Sequence, residues 1–399
     1  MSPDAANDRH AEPAKLDLSL LGVLSVMALA VIAEASVYAM PLLVGEVIAI
    51  YRLQEGTVGL LISLQIALVS ITAIAVSARI HRLNVRTVAL AAIVMLAASH
   101  VLAASGFGVA VFAASRVLCG IAEGVCMAVA AAVAGQSRNP DRIFANIWIA
   151  LGLMAAVLYL AIPRLSEIYG PQSAFLLLAA LTLLSLAAVI RLPSRRAPPS
   201  DAAAPMLQDV KFLLARRSLY LMIAVALIAI CNNGFFFFSV SIAADHGISV
   251  VRMGEIMVVM AFAAALGPAL ARFAATRTRR RVPVIVTGTM VSGVSAYLVT
   301  NSDGEIVFLI AMALAVISYG FVLPFVMGLA SALVSGGRLA SAGRGAQNLG
   351  SAITPGISGV ILLSGLGYSA IGFVAIACAL VASLLIFLIR DNGPDLPAP

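Results

Sequence analysis

Apolar runs of membrane-crossing length alternate with short polar breaks along almost the whole chain. At a rise of ~1.5 Å per residue, a hydrocarbon core of ~30 Å takes about 20 residues of helix. The pattern predicts helices over 19–48, 57–78, 87–105, 108–134, 143–167, 172–190, 218–242, 251–271, 283–300, 304–334, 346–365 and 368–389. Residues 1–17 are polar and of mixed charge, and read as a disordered cytoplasmic tail. The run after them is too long for a signal-peptide core and lacks a convincing cleavage site, so it reads as a retained span.

The longest break, 191–217, contains Pro193, Pro198, Pro199, Ser200 and Pro205, the composition of a linker. It divides the chain into a six-helix bundle over 18–190 and another over 218–390, with a tail at 391–399. The expected fold is an all-α membrane protein of twelve transmembrane helices in two pseudo-symmetric six-helix bundles.

Charge fixes the expected orientation. Twenty-one of the 25 lysines and arginines fall in the tails, the linker and the breaks after helices 2, 4, 8 and 10. Only Arg52, Arg164 and Arg252 lie in the opposite loops, and Arg116 lies within a helix. Basic loops stay on the cytoplasmic side, so both termini are expected there, in a multi-pass protein of a bacterial-type inner membrane. The net charge of +7 therefore reflects topology and not affinity for nucleic acid.

Composition agrees: 62% of residues are hydrophobic and 11% charged, where a soluble domain has about a quarter charged. The four cysteines lie singly in apolar stretches and the four histidines are scattered, so neither a disulfide framework, a metal site nor a cofactor is expected.

Ionisable groups inside hydrocarbon are costly and point to function. Glu34 falls in helix 1, Arg116 and Glu123 in helix 4, and His100 near the outer end of helix 3, where an interfacial position is expected. Glu34 lies roughly 22 Å up helix 1 and Arg116 roughly 12 Å down helix 4, which puts them at similar depth and predicts an ion pair. Glu123 is seven residues after Arg116, on the same face two turns deeper. Glu34 and Glu123 are the candidate proton carriers. Arg116 is then their switchable partner or the anchor of an anionic substrate group.

Uncharged polar residues within or at the ends of helices add candidates for substrate contact: Gln65, Asn146, Asn232, Asn233, Tyr319, Gln347 and Asn348. Lipid cannot satisfy such groups, so they should face protein or a wet cavity. The expected division is a charged, coupling first bundle and a neutral, substrate-shaping second one. The run Phe235–Phe238 sweeps around its helix and reads as packing.

The six-plus-six layout with a basic, proline-rich middle loop resembles the major facilitator superfamily, over about 18–390. Its signature between helices 2 and 3 is matched by Arg82 and Arg86, while Ser77 and Asn84 replace glycines and His81 replaces an aspartate. The resemblance implies a gating loop at Arg79, His81, Arg82 and Arg86, with its charge network altered at His81. In helix 4, Arg116, Gly120 and Gly124 follow the family's Arg-x-x-x-Gly-x-x-x-Gly spacing and look most like the arabinose-efflux-like and drug-efflux branch. In helix 5, Gly152 and Pro163 fall where that branch carries its antiporter motif.

What this implies is a secondary transporter working by alternating access, a monomer in the bilayer that moves a small organic molecule by proton-coupled efflux. Proton-coupled uptake of an organic anion or other metabolite, and a non-transporting sensor of transporter ancestry, are the alternatives. An intramembrane enzyme is disfavoured, because no HExxH, GxSxG or paired-aspartate pattern occurs.

Overall fold

The computed structural model describes residues 18–138, 140–192, 214–278, 280–334 and 338–391. Most of the 191–217 linker and both tails lie outside the described residues. Thirteen α-helices account for nearly all that is described. They are α1 (Leu20–Tyr51), α2 (Glu55–Ser77), α3 (Val85–Ala104), α4 (Val109–Gly135), α5 (Pro140–Tyr169), α6 (Gln172–Val189), α7 (Arg216–Phe236), α8 (Ser239–Asp245), α9 (Val250–Arg277), α10 (Arg281–Asn301), α11 (Glu305–Leu333), α12 (Arg338–Leu363) and α13 (Gly367–Asp391). Among the described residues, 11 of these helices are long and apolar enough to cross a bilayer. The short α8 and the more polar α12 are the two that are not.

The predicted seventh helix, 218–242, is broken in two. Its hydrogen-bond ladder tightens at Phe237 and Phe238, where Phe238 takes φ −108° and ψ 11° before α8 begins. Asn232, Asn233 and Gly234, all weak helix formers, precede the break. Phe235, Phe237 and Phe238 are buried in protein.

Helices α1–α6 pack on one another, chiefly α3 against α4 and α6, α1 against α4, α5 and α6, and α2 against α4. Helices α7–α13 form a second group, through α10 with α11 and α13, α7 with α12 and α13, and α9 with α11. The groups meet mainly along α2 with α12 and α5 with α9.

Small residues set these distances, since between helices in lipid van der Waals packing must do what the hydrophobic effect does in water. A Cβ on Gly120 would stand 2.5 Å from the Gln65 carbonyl oxygen, and one on Gly124 2.5 Å from that of Val69. The helix 4 glycine pattern is thus the surface that lets α2 lie against α4. Between the groups, a Cβ on Gly359 would stand 2.5 Å from the Gly56 carbonyl oxygen.

The contacts between groups gather at one end of the bundle, that of the short loops around residues 52–54, 170–171 and 364–366. There Gly356 N–H donates to Ser63 Oγ at 2.5 Å, Tyr368 donates to Glu55 Oε2, and Arg164 pairs with Glu255 at 2.9 Å. At the other end, that of the basic loops, no hydrogen bond or ion pair among the described residues joins the two groups. The short-loop end is therefore clasped.

Candidate functional site

The polar centre of the first group is built on the Gln65 side-chain amide. Gln65 comes from α2, Arg116 and Glu123 from one face of α4, and Ser36 from α1. Gln65 Oε1 accepts from Arg116 Nη1 at 3.2 Å, while Nε2 donates to Glu123 Oε2 at 2.8 Å and to Ser36 Oγ at 2.9 Å. The Ser36 hydroxyl donates to the other Glu123 oxygen. An amide has one acceptor end and one donor end, and here each meets the charge that suits it. Gln65, Ser36 and Glu123 are fully buried, and Arg116 is 1% exposed.

Arg116 is packed between rings, its guanidinium carbon 5.2 Å from the Phe112 centroid and 5.5 Å from that of Phe175. Nε donates to Ser115 Oγ at 3.3 Å, and Nη2 is buried without a hydrogen-bond partner. His100, expected at the interface, is also 1% exposed, with Nδ1 likewise unpartnered.

The predicted Glu34–Arg116 ion pair does not form. Arg116 is held by Gln65, and the carboxylate that shares this clamp is Glu123. Ser36, two residues after Glu34 on α1, bonds Glu123, so Glu34 stands near the level of Glu123, two turns of α4 away from Arg116, and Gln65 from α2 takes the place of the expected partner. Glu34 is half-buried, makes no hydrogen bond among the described residues, and has Glu123 and Tyr38 as electrostatic neighbours.

Tyr38, one turn along α1 from Glu34, opens onto a cavity of about 380 Å³ between the two helix groups. Trp148 and Tyr159 from α5, Phe236 from α7, Met257 and Met260 from α9, and Met312 from α11 complete most of its wall. Gly152 lines it as well, and Pro163 packs near Gly254 where α5 meets α9.

In the second group, Gln347 again bridges. Its Oε1 accepts from Arg344 Nη1 at 2.9 Å and its Nε2 donates to the Tyr319 hydroxyl at 2.8 Å. Against the expectation of a neutral second bundle stands one cation beside Gln347, the exposed Arg344. The helix predicted over 346–365 begins earlier, as α12 at Arg338, and so carries Arg344 one turn before Gln347. Asn233 Nδ2 donates to Ser351 Oγ at 2.9 Å. Asn232 is 7% exposed with Oδ1 unpartnered, Asn146 is half-buried on α5, and Asn348 is exposed on α12.

In the loop after α2, Arg79 Nη1 donates to Ala75 O at 3.3 Å and Arg86 Nε to Leu192 O at 2.6 Å, tying the loop to its own helix group. Arg82 is exposed, and the His81 side chain lies outside the described residues. Ser36, Glu55, Tyr368 and the Arg164–Glu255 pair were not singled out in the sequence. Nothing local marks them, because each matters through a residue far along the chain.

A bundle of long apolar helices in two groups, with a buried charge network in one and an aromatic cavity between them, is the architecture of a multi-pass membrane transporter. Residues 18–344 match the Major Facilitator Superfamily, and the chain belongs to that family. No curated protein matches it in sequence. Among solved structures it is similar to the peptide transporter POT in complex with sulfate, at 16% identity and a TM-score of 0.72, covering 92% of this chain and 94% of that one. The POT family transporter PepTSo gives 12% identity and a TM-score of 0.71 over 93% and 99% of the two chains. The human organic anion transporter MFSD10 (TETRAN) gives 17% identity and 0.62 over 92% and 99%. At these identities the likeness is one of fold.

Proposed function

We propose that this chain is a proton-coupled secondary transporter that exports a lipophilic organic cation. The carrying observation is the pairing of an aromatic and methionine-lined cavity with the half-buried carboxylate of Glu34, one turn from Tyr38. Aromatic faces and thioethers accommodate large apolar bodies of varied shape. A carboxylate beside them supplies the charge that selects a cation. Among the described residues the cavity wall holds no arginine, lysine, aspartate or glutamate, and Glu34 stands one turn of α1 behind Tyr38. The lack of a fixed cation there argues against a zwitterionic peptide, which would need one.

In this reading the chain makes twelve passes, with α7 and α8 as one and α12 as another. The basic loops and both termini lie in the cytoplasm. The two helix groups are the bundles that rock against each other. The clasp at the short-loop end is then the closed outer gate, and the cavity is reached from the cytoplasm, the loading state of an exporter. Glu34 exchanges a proton for the cation, and Glu123, held by Ser36 and Gln65, passes the change of charge to the α2–α4 contact.

Trp148 is the sole tryptophan and stands in the cavity wall, so its fluorescence reports occupancy directly. Titration with tetraphenylphosphonium should quench it saturably, and Glu34→Gln should weaken that quenching at least tenfold. A neutral aromatic of similar size should be little affected by the substitution. Equal quenching of both proteins by the cation would remove Glu34 as its counter-ion.

A further inference from the structure

A second cavity, about 480 Å³, lies on the outer surface of the second helix group, away from the cavity between the groups. Leu270 of α9, Pro283, Thr287 and Val291 of α10, and Leu314 and Phe321 of α11 line it. Pro283 to Val291 spans about 12 Å along α10, so this is a groove running with the bilayer normal. Its walls are apolar, and Leu270, Pro283 and Thr287 are exposed.

One end of the groove opens at the α9–α10 turn, which is densely cationic. Arg277 ends α9, its guanidinium carbon 4.1 Å from the ring centroid of Phe273, itself 56% exposed. Arg280 immediately precedes α10, and both arginines are exposed. Arg281 is already engaged, donating to the Gly328 carbonyl at 3.0 Å. The sequence holds no acidic residue from Ile256 to Ser302, nor from Ile306 to Arg390. Arg277 and Arg280 thus stand in a stretch of α9 and α10 that carries positive charge alone.

We propose that this groove and turn form a binding site for one anionic phospholipid, an acyl chain lying along α10 and the phosphate resting on Arg277 and Arg280. The apolar channel and the charge are continuous, which distinguishes a lipid from a free anion. An exposed arginine facing an anionic headgroup contributes about fivefold in affinity, so the pair gives about twenty-five-fold. The inference does not depend on the direction of transport or on what the central cavity carries.

The test is native mass spectrometry of the full-length protein, delipidated in detergent and titrated with phosphatidylglycerol or phosphatidylcholine. The wild type should retain phosphatidylglycerol preferentially. Arg277→Gln with Arg280→Gln should lower that retention about twenty-five-fold and abolish the preference. Thr287→Trp, which fills the groove, should also lower it with both arginines intact. Thermal midpoints of the variants, expected within a few degrees of wild type, confirm that they fold.

Equal retention of the two lipids by the wild type would overturn the site. So would loss in the arginine variant with none in Thr287→Trp, since that reports surface attraction alone. Displacement of bound phosphatidylglycerol by millimolar inorganic phosphate would likewise overturn it, in favour of a free-anion site.

Discussion

Gln65 donates to Glu123 across the α2–α4 contact at 2.8 Å with the same amide whose oxygen holds Arg116. Two buried opposite charges on one helix are therefore joined through a neutral side chain of another. A direct ion pair would be rigid. A bridging amide lets α2 shift against α4 while each charge keeps a partner, provided the amide turns with it.

Replacing Gln65 with leucine removes both halves of the bridge and leaves Glu123 and Arg116 under-solvated in the interior. A loss of about 3 kcal/mol in stability is expected, read as a lower thermal midpoint of the purified protein. Glu123→Gln should cost less, because Ser36 and Gln65 can still bond a neutral amide.

Arg116→Lys keeps the charge and loses the planar group between Phe112 and Phe175. A lysine ammonium cannot fill that space or reproduce the donor fork. Transport should fall at least tenfold, by about 1.4 kcal/mol or more in transition-state terms. Activity close to wild type would mean that charge alone suffices there.

Arg164 and Glu255 pair at 2.9 Å, but their side chains remain 46% and 40% exposed. Solvent screens such a pair, so Arg164→Ala should change stability by less than about 1 kcal/mol in thermal unfolding. The contrast with Gln65→Leu separates gate contacts from core contacts.

Gly359 allows the closest backbone approach of α12 to α2, and a larger side chain there should hold the clasp open. With Gly359→Leu, a cysteine placed at Ser63 should react about tenfold faster with a membrane-impermeant maleimide from the short-loop side, a shift of ~1.4 kcal/mol in the balance of states. Unchanged labelling would show that α2 and α12 do not form the gate.

Much of this architecture is legible in the chain because lipid leaves few alternatives. Spans follow from hydropathy, and the glycines of helix 4 follow from their spacing. The helical period also places Arg116 and Glu123 on one face of α4. What it cannot supply is the rotation of neighbouring helices. Gln65 is 51 residues from Arg116 and 58 from Glu123, and Ser36 is 87 from Glu123. The choice of partner is made by how α1, α2 and α4 pack, in height as well as in rotation, which sets Glu34 near the level of Glu123 and not of Arg116. The break after Phe236 is only weakly marked: Asn232, Asn233 and Gly234 precede it, but Phe235 to Phe238 are as apolar as a continuous span requires. Arg344 was hidden differently, by a composition that makes the start of α12 look like a loop.

The most direct test is proton movement in proteoliposomes with an entrapped pH dye, for the wild type, Glu34→Gln and Glu123→Gln, started by adding tetraphenylphosphonium. The account predicts cation-dependent proton flux in the wild type that is lost in Glu34→Gln and reduced at least tenfold in Glu123→Gln. Undiminished flux in both variants, or cation transport by the wild type with no proton movement, would contradict it.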